Sequence, residues 1–235
     1  MTVADSIDTV VSAALAALTT VRDPELDEPI TALGFVASCT VSCQGQATVR
    51  LRLPTYFCAP NFAFLMVADA YDAVAAVPGI SEAEVILEDH FASEAINSGV
   101  AAQAGFVKSF DGEAVAELGD LRAQFLRKAV MAGTDQVCRP LVAAGTSPAD
   151  LLTLTLGAIP ASPELARLRQ RRADLGLGAD DESPLLVDPQ TGERIAEGEV
   201  PLHLRKARVT RTGIEANTSI CSGMFKVRYP DGWTR

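Results

Sequence analysis

Two runs of alternating side chains, joined by four residues with turn chemistry, constrain this chain more than any other feature of it. Phe35, Ala37, Cys39 and Val41 alternate with Val36, Ser38 and Thr40, and Ala47, Val49, Leu51 and Leu53 then alternate with Thr48, Arg50 and Arg52. A period of two sends successive side chains to opposite faces, so each run reads as a strand with one face buried. Ser42-Cys43-Gln44-Gly45 between them is a hairpin turn in which Gly45 is free to take a positive φ.

Helical spacing flanks this hairpin. From Ile7 the positions Val10, Val11, Ala14, Leu15 and Leu18 repeat as one helix face, with Thr2 and Asp5 placed to cap it. Asp23-Pro24-Glu25 then predicts a turn, because proline fixes its own φ and biases Asp23 towards an extended conformation. After the hairpin, Phe62, Leu65, Met66, Ala70, Ala73, Val74 and Val77 mark a second helix that Pro78-Gly79 stops, and Ala83, Val85 and Leu87 mark a third strand. The order helix, strand, strand, helix, strand predicts an α+β domain over 1–92, with its helices on one face of a small mixed sheet.

The remainder divides by composition. Residues 93–174 read as a helical extension, with Val115, Leu118, Leu121, Phe125 and Ala129 on one side of its clearest segment and breaks at Pro140 and Pro160. Residues 175–201, which include Asp180-Asp181-Glu182, read as an acidic linker or arm. In residues 202–235, Arg205, Lys206, Arg208 and Arg211 precede a β-prone stretch from Ile214 to Tyr229, which predicts a basic β-rich tail turning near Ser222-Gly223.

Charge and cysteine usage narrow the function. A formal net charge of −10 repels phosphate, so neither nucleic acid nor an anionic membrane is an expected partner. No stretch approaches the ~18 consecutive apolar residues of a membrane span, and the N-terminus lacks the basic and apolar regions of a signal peptide. The expected location is the cytoplasm. The five cysteines, Cys39, Cys43, Cys58, Cys138 and Cys221, form no CxxC pair and are an odd set, which points to reduced thiols rather than a disulfide framework.

Cys58 is the principal reactive candidate. It lies in Leu53-Pro54-Thr55-Tyr56-Phe57-Cys58-Ala59-Pro60, between a predicted strand and a predicted helix, where unpaired backbone N–H groups favour an anion such as a thiolate. A thiolate ligates iron or attacks electrophiles. Asp23 and Glu25 precede the hairpin and are expected at the same end of the sheet, where a carboxylate can ligate a metal, orient a partner or accept a proton. Asp23 has the alternative role of capping its own turn.

Asp23-Pro24-Glu25, then Leu33-Gly34-Phe35-Val36, then a strand pair leading to Thr55 and Cys58, then a helix and Pro78-Gly79 before a last strand, resemble the MIP18 family, also called the DUF59 domain. The resemblance spans about residues 5–90. It implies a factor for iron–sulfur cluster assembly or delivery, not an enzyme, with Asp23, Glu25, Thr55 and Cys58 as the matching positions. The family's loop usually carries Gly and Pro around its cysteine, where Phe57 and Ala59 stand here.

Among the other cysteines, Cys39 is expected in the core, Cys43 in an exposed turn, and Cys138 and Cys221 in packing roles in the extension. His90 follows the last strand as a loop histidine with a metal-ligand alternative, and His203 has no assignable partner. The first functional expectation is an assembly accessory factor in which Cys58 transiently ligates iron or an iron–sulfur cluster. Its partners would be a client metalloenzyme or iron–sulfur assembly proteins, and a symmetric homodimer would bring two Cys58 thiolates to one site. The alternative is a metal-free binding module or chaperone for a metalloenzyme such as an iron-dependent oxygenase.

Overall fold

In the computed structural model, the structure describes residues 3–110 and 118–230, with side chains from Ile7 onward. The Thr2–Asp5 cap and the placement of Val115 lie outside the described residues. The chain divides into two compact units, Met1–Leu118 with Thr218–Arg235, and Gly119–Asn217.

The first unit has the α+β order the sequence predicts. Helix α1 (Val3–Leu18) precedes strands β1 (Val36–Val41) and β2 (Gln46–Arg52), helix α2 (Pro60–Ala75) and strand β3 (Glu82–Glu88). The sheet runs β1-β2-β3, with β1 antiparallel and β3 parallel to the central β2. Ala47, Val49, Leu51 and Leu53 are all buried, as the alternation of β2 requires, and they meet Ala14 and Leu18 of α1 and Met66, Val67, Ala70 and Val74 of α2 in one core. Each fully buried leucine or valine there contributes about 1.5–3 kcal/mol. On the opposite face of the β2–β3 pair, Arg50 and Arg52 hold Glu88 at 2.6 and 2.8 Å. Burial works to raise the Glu88 carboxyl, yet the two arginine hydrogen bonds hold it below its ordinary value.

Gly45 closes the hairpin at φ +82°, and a Cβ there would lie 2.6 Å from the carbonyl oxygen of Gly79, so the turn has room for glycine alone. Helices α3 (Ser93–Ala101) and α4 (Gly105–Ser109) complete this unit's chain-order elements before the second unit begins. Asn97 of α3 bonds both the N–H and the C=O of Leu87, at 2.9 and 3.1 Å, and so occupies backbone groups on the free edge of β3.

The second unit contains α5 (Gly119–Ala143), α6 (Pro148–Thr153), α7 (Pro163–Asp174) and the first part of α8 (Val200–Arg228). Three expectations are corrected here. Pro140 does not break its helix, because it sits in the last turn of α5, where one missing N–H costs a single bond. Residues 175–201 are irregular but are not a bare linker: Leu185, Leu186 and Val187 are buried, and the fully buried Arg172 of α7 donates to the carbonyls of Pro184 and Leu185 at 2.8 and 2.6 Å. The acidic composition around that apolar triplet hid it.

The β-rich tail is likewise a helix, α8, running from Val200 to Arg228. The β-branched residues suggested strands, but Val200, His203 and Ala207 form a buried stripe at helical spacing, and tertiary burial outweighs local propensity. In the same unit Arg211 of α8 grips Asp135 of α5 at 2.6 Å, with both side chains nearly enclosed.

Candidate functional site

Because β2 and β3 are parallel, the loops that leave them emerge side by side at one edge of the sheet. The first, residues 53–59, carries Thr55 and Cys58, and the second, residues 89–92, carries His90. A backbone bond from Phe91 N–H to Tyr56 C=O, 3.1 Å long, joins them. His90 joins them again, with Nε2 2.7 Å from the carbonyl oxygen of Cys58 and Nδ1 accepting from Ala92 N–H at 3.2 Å. Since Nδ1 must accept, Nε2 carries the proton and donates. Burial of the ring lowers the His90 pKa and keeps it neutral; the bond to Cys58 opposes that shift and the Arg228 charge adds to it.

Cys58 is half-buried, immediately before the N-cap residue Ala59 of α2, with Pro60 in the first turn. Its Sγ lies 3.3 Å from Thr55 Oγ1. That hydroxyl can donate to a thiolate or accept from a thiol, so it serves either protonation state. On the same two loops, Tyr56, Phe57 and Phe91 form an exposed aromatic group, with Phe57 77% exposed and ring centroids 5.0 to 6.4 Å apart. Phe57 is thus part of an exposed aromatic surface on the loop that carries Cys58.

Asp23 is buried, and its Oδ1 accepts from the N–H groups of Glu25 and Leu26, both at 2.9 Å. This is the turn-capping role. Burial raises its carboxyl pKa despite those two hydrogen bonds. The turn is held further by Arg22, which donates to Asp27 C=O at 2.7 Å.

The end of α8 lies over the same edge of this unit. Phe225 packs on Phe35 with centroids 5.4 Å apart, and a Cβ on Gly34 would stand 3.4 Å from its ring. Arg228 donates to the carbonyls of Leu53 and Asp89, at 3.1 and 2.6 Å, and thereby ties together the residues that follow β2 and β3. One turn before Phe225 stands the half-buried Cys221. Its thiol is pushed up by burial first, then by electrostatic interaction with Asp23, Cys58 and Glu25. The structure therefore brings Thr55 and Cys58 together and adds His90 to them, with Cys221 of α8 within electrostatic reach of Cys58, Asp23 and Glu25.

Neither added residue was assigned there from sequence. His90 follows a strand that is parallel to β2, and that pairing was the available signal; Cys221 gave none, since its helix was read as strands. Cys39 is buried in the core and Cys43 is exposed in the turn, as expected. Cys138 is buried in the second unit, its thiol pushed up to about 12, mainly by burial. Among the described residues no group of three or more His, Cys, Asp or Glu side chains is arranged to hold a metal ion. A cleft of about 480 Å³ in the first unit lies along β3 and α3, lined by residues such as Tyr71, Glu84 and Asn97, and does not include Cys58.

A small α+β domain with a cysteine loop at the carboxyl ends of a parallel strand pair is the class that fold and site define. Residues 12–86 match the family model described as iron–sulfur cluster assembly protein. A solved structure, a DUF59 domain of unknown function from Bacillus anthracis, is 27% identical over 43% of this chain and 95% of its own, with a TM-score of 0.34. No curated protein matches the chain. The family match covers the first unit's helix–hairpin–helix–strand core and leaves the residues beyond 86 unaddressed. No described helix is long and apolar enough to cross a membrane.

Proposed function

We propose that the chain is an accessory factor for iron–sulfur cluster or metal-cofactor assembly, with Cys58 as a transient ligand for iron or a cluster. The observation that carries this reading is the position of Cys58: a half-buried thiol with a hydroxyl partner 3.3 Å away, on a loop clamped by His90, inside the segment that matches the assembly family. Iron is cargo in this reading. Thr55 hydrogen-bonds the sulfur, His90 holds the loop by its backbone, and Asp23 caps the turn that precedes the hairpin. The lack of a closed ligand set among the described residues suits handover, in which the client, an added thiol or Cys58 of a second copy completes coordination.

A transfer assay tests this. The chain loaded anaerobically with iron and sulfide is mixed with an apo [2Fe–2S] ferredoxin in the presence of a chelator, and the acceptor's visible absorption is followed. Wild type is expected to restore the acceptor faster than free iron and sulfide, and Cys58→Ala is expected to give no acceleration.

The exposed group of Tyr56, Phe57 and Phe91 favours a second reading, a binding module that recognises a client metalloenzyme without holding metal. Under it, Cys58→Ala keeps client binding and maturation, while Phe57→Ala loses both.

A further inference from the structure

A cleft of about 500 Å³ in the second unit, within the ~300–1,000 Å³ range of small-molecule sites, is lined by Met131 of α5, by Asp188 and Pro189, and by one flank of α8. His203, Lys206 and Thr210 recur at helical spacing and share a face of that helix, and Arg205 and Val209 lie on the adjoining one. His203 is 7% exposed, and its Nε2 is buried without a hydrogen-bond partner among the described residues. Burial keeps the ring neutral, so it has one N–H to give. A buried polar atom left unpaired is uncommon in a native structure, and one on a residue that lines a cleft points to a group that the cleft receives.

The charges on the lining decide what that group is. In a chain of formal net charge −10 acids are plentiful, and Arg211 of the same helix takes two of them, Asp135 and Glu215. Arg205 and Lys206 are exposed and form no ion pair among the described residues, and the Thr210 hydroxyl has no hydrogen-bond partner among them. Asp188, the one acid on the lining, caps its own turn by accepting from Gln190 N–H at 2.7 Å. A metal cation would therefore meet two positive charges and a single, engaged carboxylate, whereas an anion meets four groups able to donate. A carboxylate has two oxygens to offer them. A phosphate monoester has three terminal oxygens and a charge of about −1.5 to −2 to set against the two cations. We propose that this cleft binds a small organic phosphate, its oxygens held by Arg205, Lys206, Thr210 and the Nε2–H of His203, and its apolar body laid against Met131 and Val209. Cys58 belongs to the other unit, so this binding and the assembly reading are tested separately.

Phenyl phosphate is the probe, titrated calorimetrically into the full, untagged chain. One molecule per chain is expected to bind, at least tenfold tighter than inorganic phosphate, which has no apolar body. The chain has two histidines, so the imidazole ¹⁵N spectrum holds two rings. The His203 signals should shift on binding, and those of His90, whose two nitrogens are already engaged, should stay in place. The spectrum needs no substitution at the site. Arg205→Ala combined with Lys206→Ala should weaken binding at least tenfold, whereas Arg208→Ala, which removes an exposed cation of the same helix outside the lining, should change it less than twofold. Unmoved His203 signals at saturation, an equal loss in Arg208→Ala, or inorganic phosphate binding as tightly as the phenyl ester overturns the proposal.

Discussion

The Nε2–H of His90 donates to the carbonyl oxygen of Cys58 across 2.7 Å, so a residue that follows β3 fixes the backbone of the residue that precedes α2. With the ring 3% exposed and its Nδ1 occupied by Ala92 N–H, His90 is a clamp for the cysteine loop rather than a free base. Replacing it with alanine leaves one carbonyl and one N–H without their partner, at a cost of about 1–3 kcal/mol. Denaturant unfolding of His90→Ala should show that loss, and the alkylation rate of Cys58 should rise severalfold in native buffer. An unchanged rate would mean that the loop holds its position without the imidazole.

The same histidine predicts a pH dependence. Burial depresses its pKa below the ordinary 6.5, and burial depresses His203 in the second unit likewise. The unfolded chain then binds protons that the folded chain refuses, so their contribution is intact above about pH 6.5 and is lost as pH falls towards the folded pKa values. Asp23, raised by burial from 3.8, acts in the opposite sense at lower pH. Unfolding free energies from pH 7.5 to 5.5 should decline in wild type and decline less in His90→Gln.

The thiols should react in a fixed order. Cys43 is exposed, Cys58 and Cys221 are half-buried, and Cys39 and Cys138 are enclosed, with the Cys138 thiol pushed up to about 12. Timed alkylation of the native protein with peptide mapping should find Cys43 modified first and Cys39 and Cys138 last. Early modification of Cys138 would contradict the packing of the second unit.

Arg172 should be essential to that unit. Its guanidinium, fully buried and lowered to about 10 chiefly by burial, holds the carbonyls of Pro184 and Leu185. Arg172→Met keeps the apolar stem and removes both donors, which should cost about 3 kcal/mol. Limited proteolysis should then cut first between Gly176 and Pro189. Resistance equal to wild type would show that Leu185 and Leu186 hold the segment without the arginine.

The parts of the fold legible in the sequence are those with an uninterrupted period. Ala47, Val49, Leu51 and Leu53 announced β2, and Phe62 to Val77 announced α2, because each pattern matches one geometry. Asp23, Glu25, Thr55 and Cys58 were singled out through motif order, and all four lie within residues 12–86, the segment that the family model matches. Residues 202–228 misled for a physical reason. Their β-branched side chains are mostly exposed, and the helix is set by a short buried stripe, Val200, His203 and Ala207, and then by the long-range contact of Phe225 on Phe35. Cys221 was therefore read into a strand, where the structure has it on α8. His90 was misjudged as a loop side chain because its partners, Cys58 C=O and Ala92 N–H, are backbone groups.

The most direct measurement of the central claim is anaerobic reconstitution of the purified chain with iron and sulfide, following visible absorption and bound iron in wild type and Cys58→Ala. Iron-dependent absorption that wild type acquires and well-folded Cys58→Ala does not is the predicted result. Equal iron binding by both proteins, or none by folded wild type even with added thiol, would contradict Cys58 as the ligand.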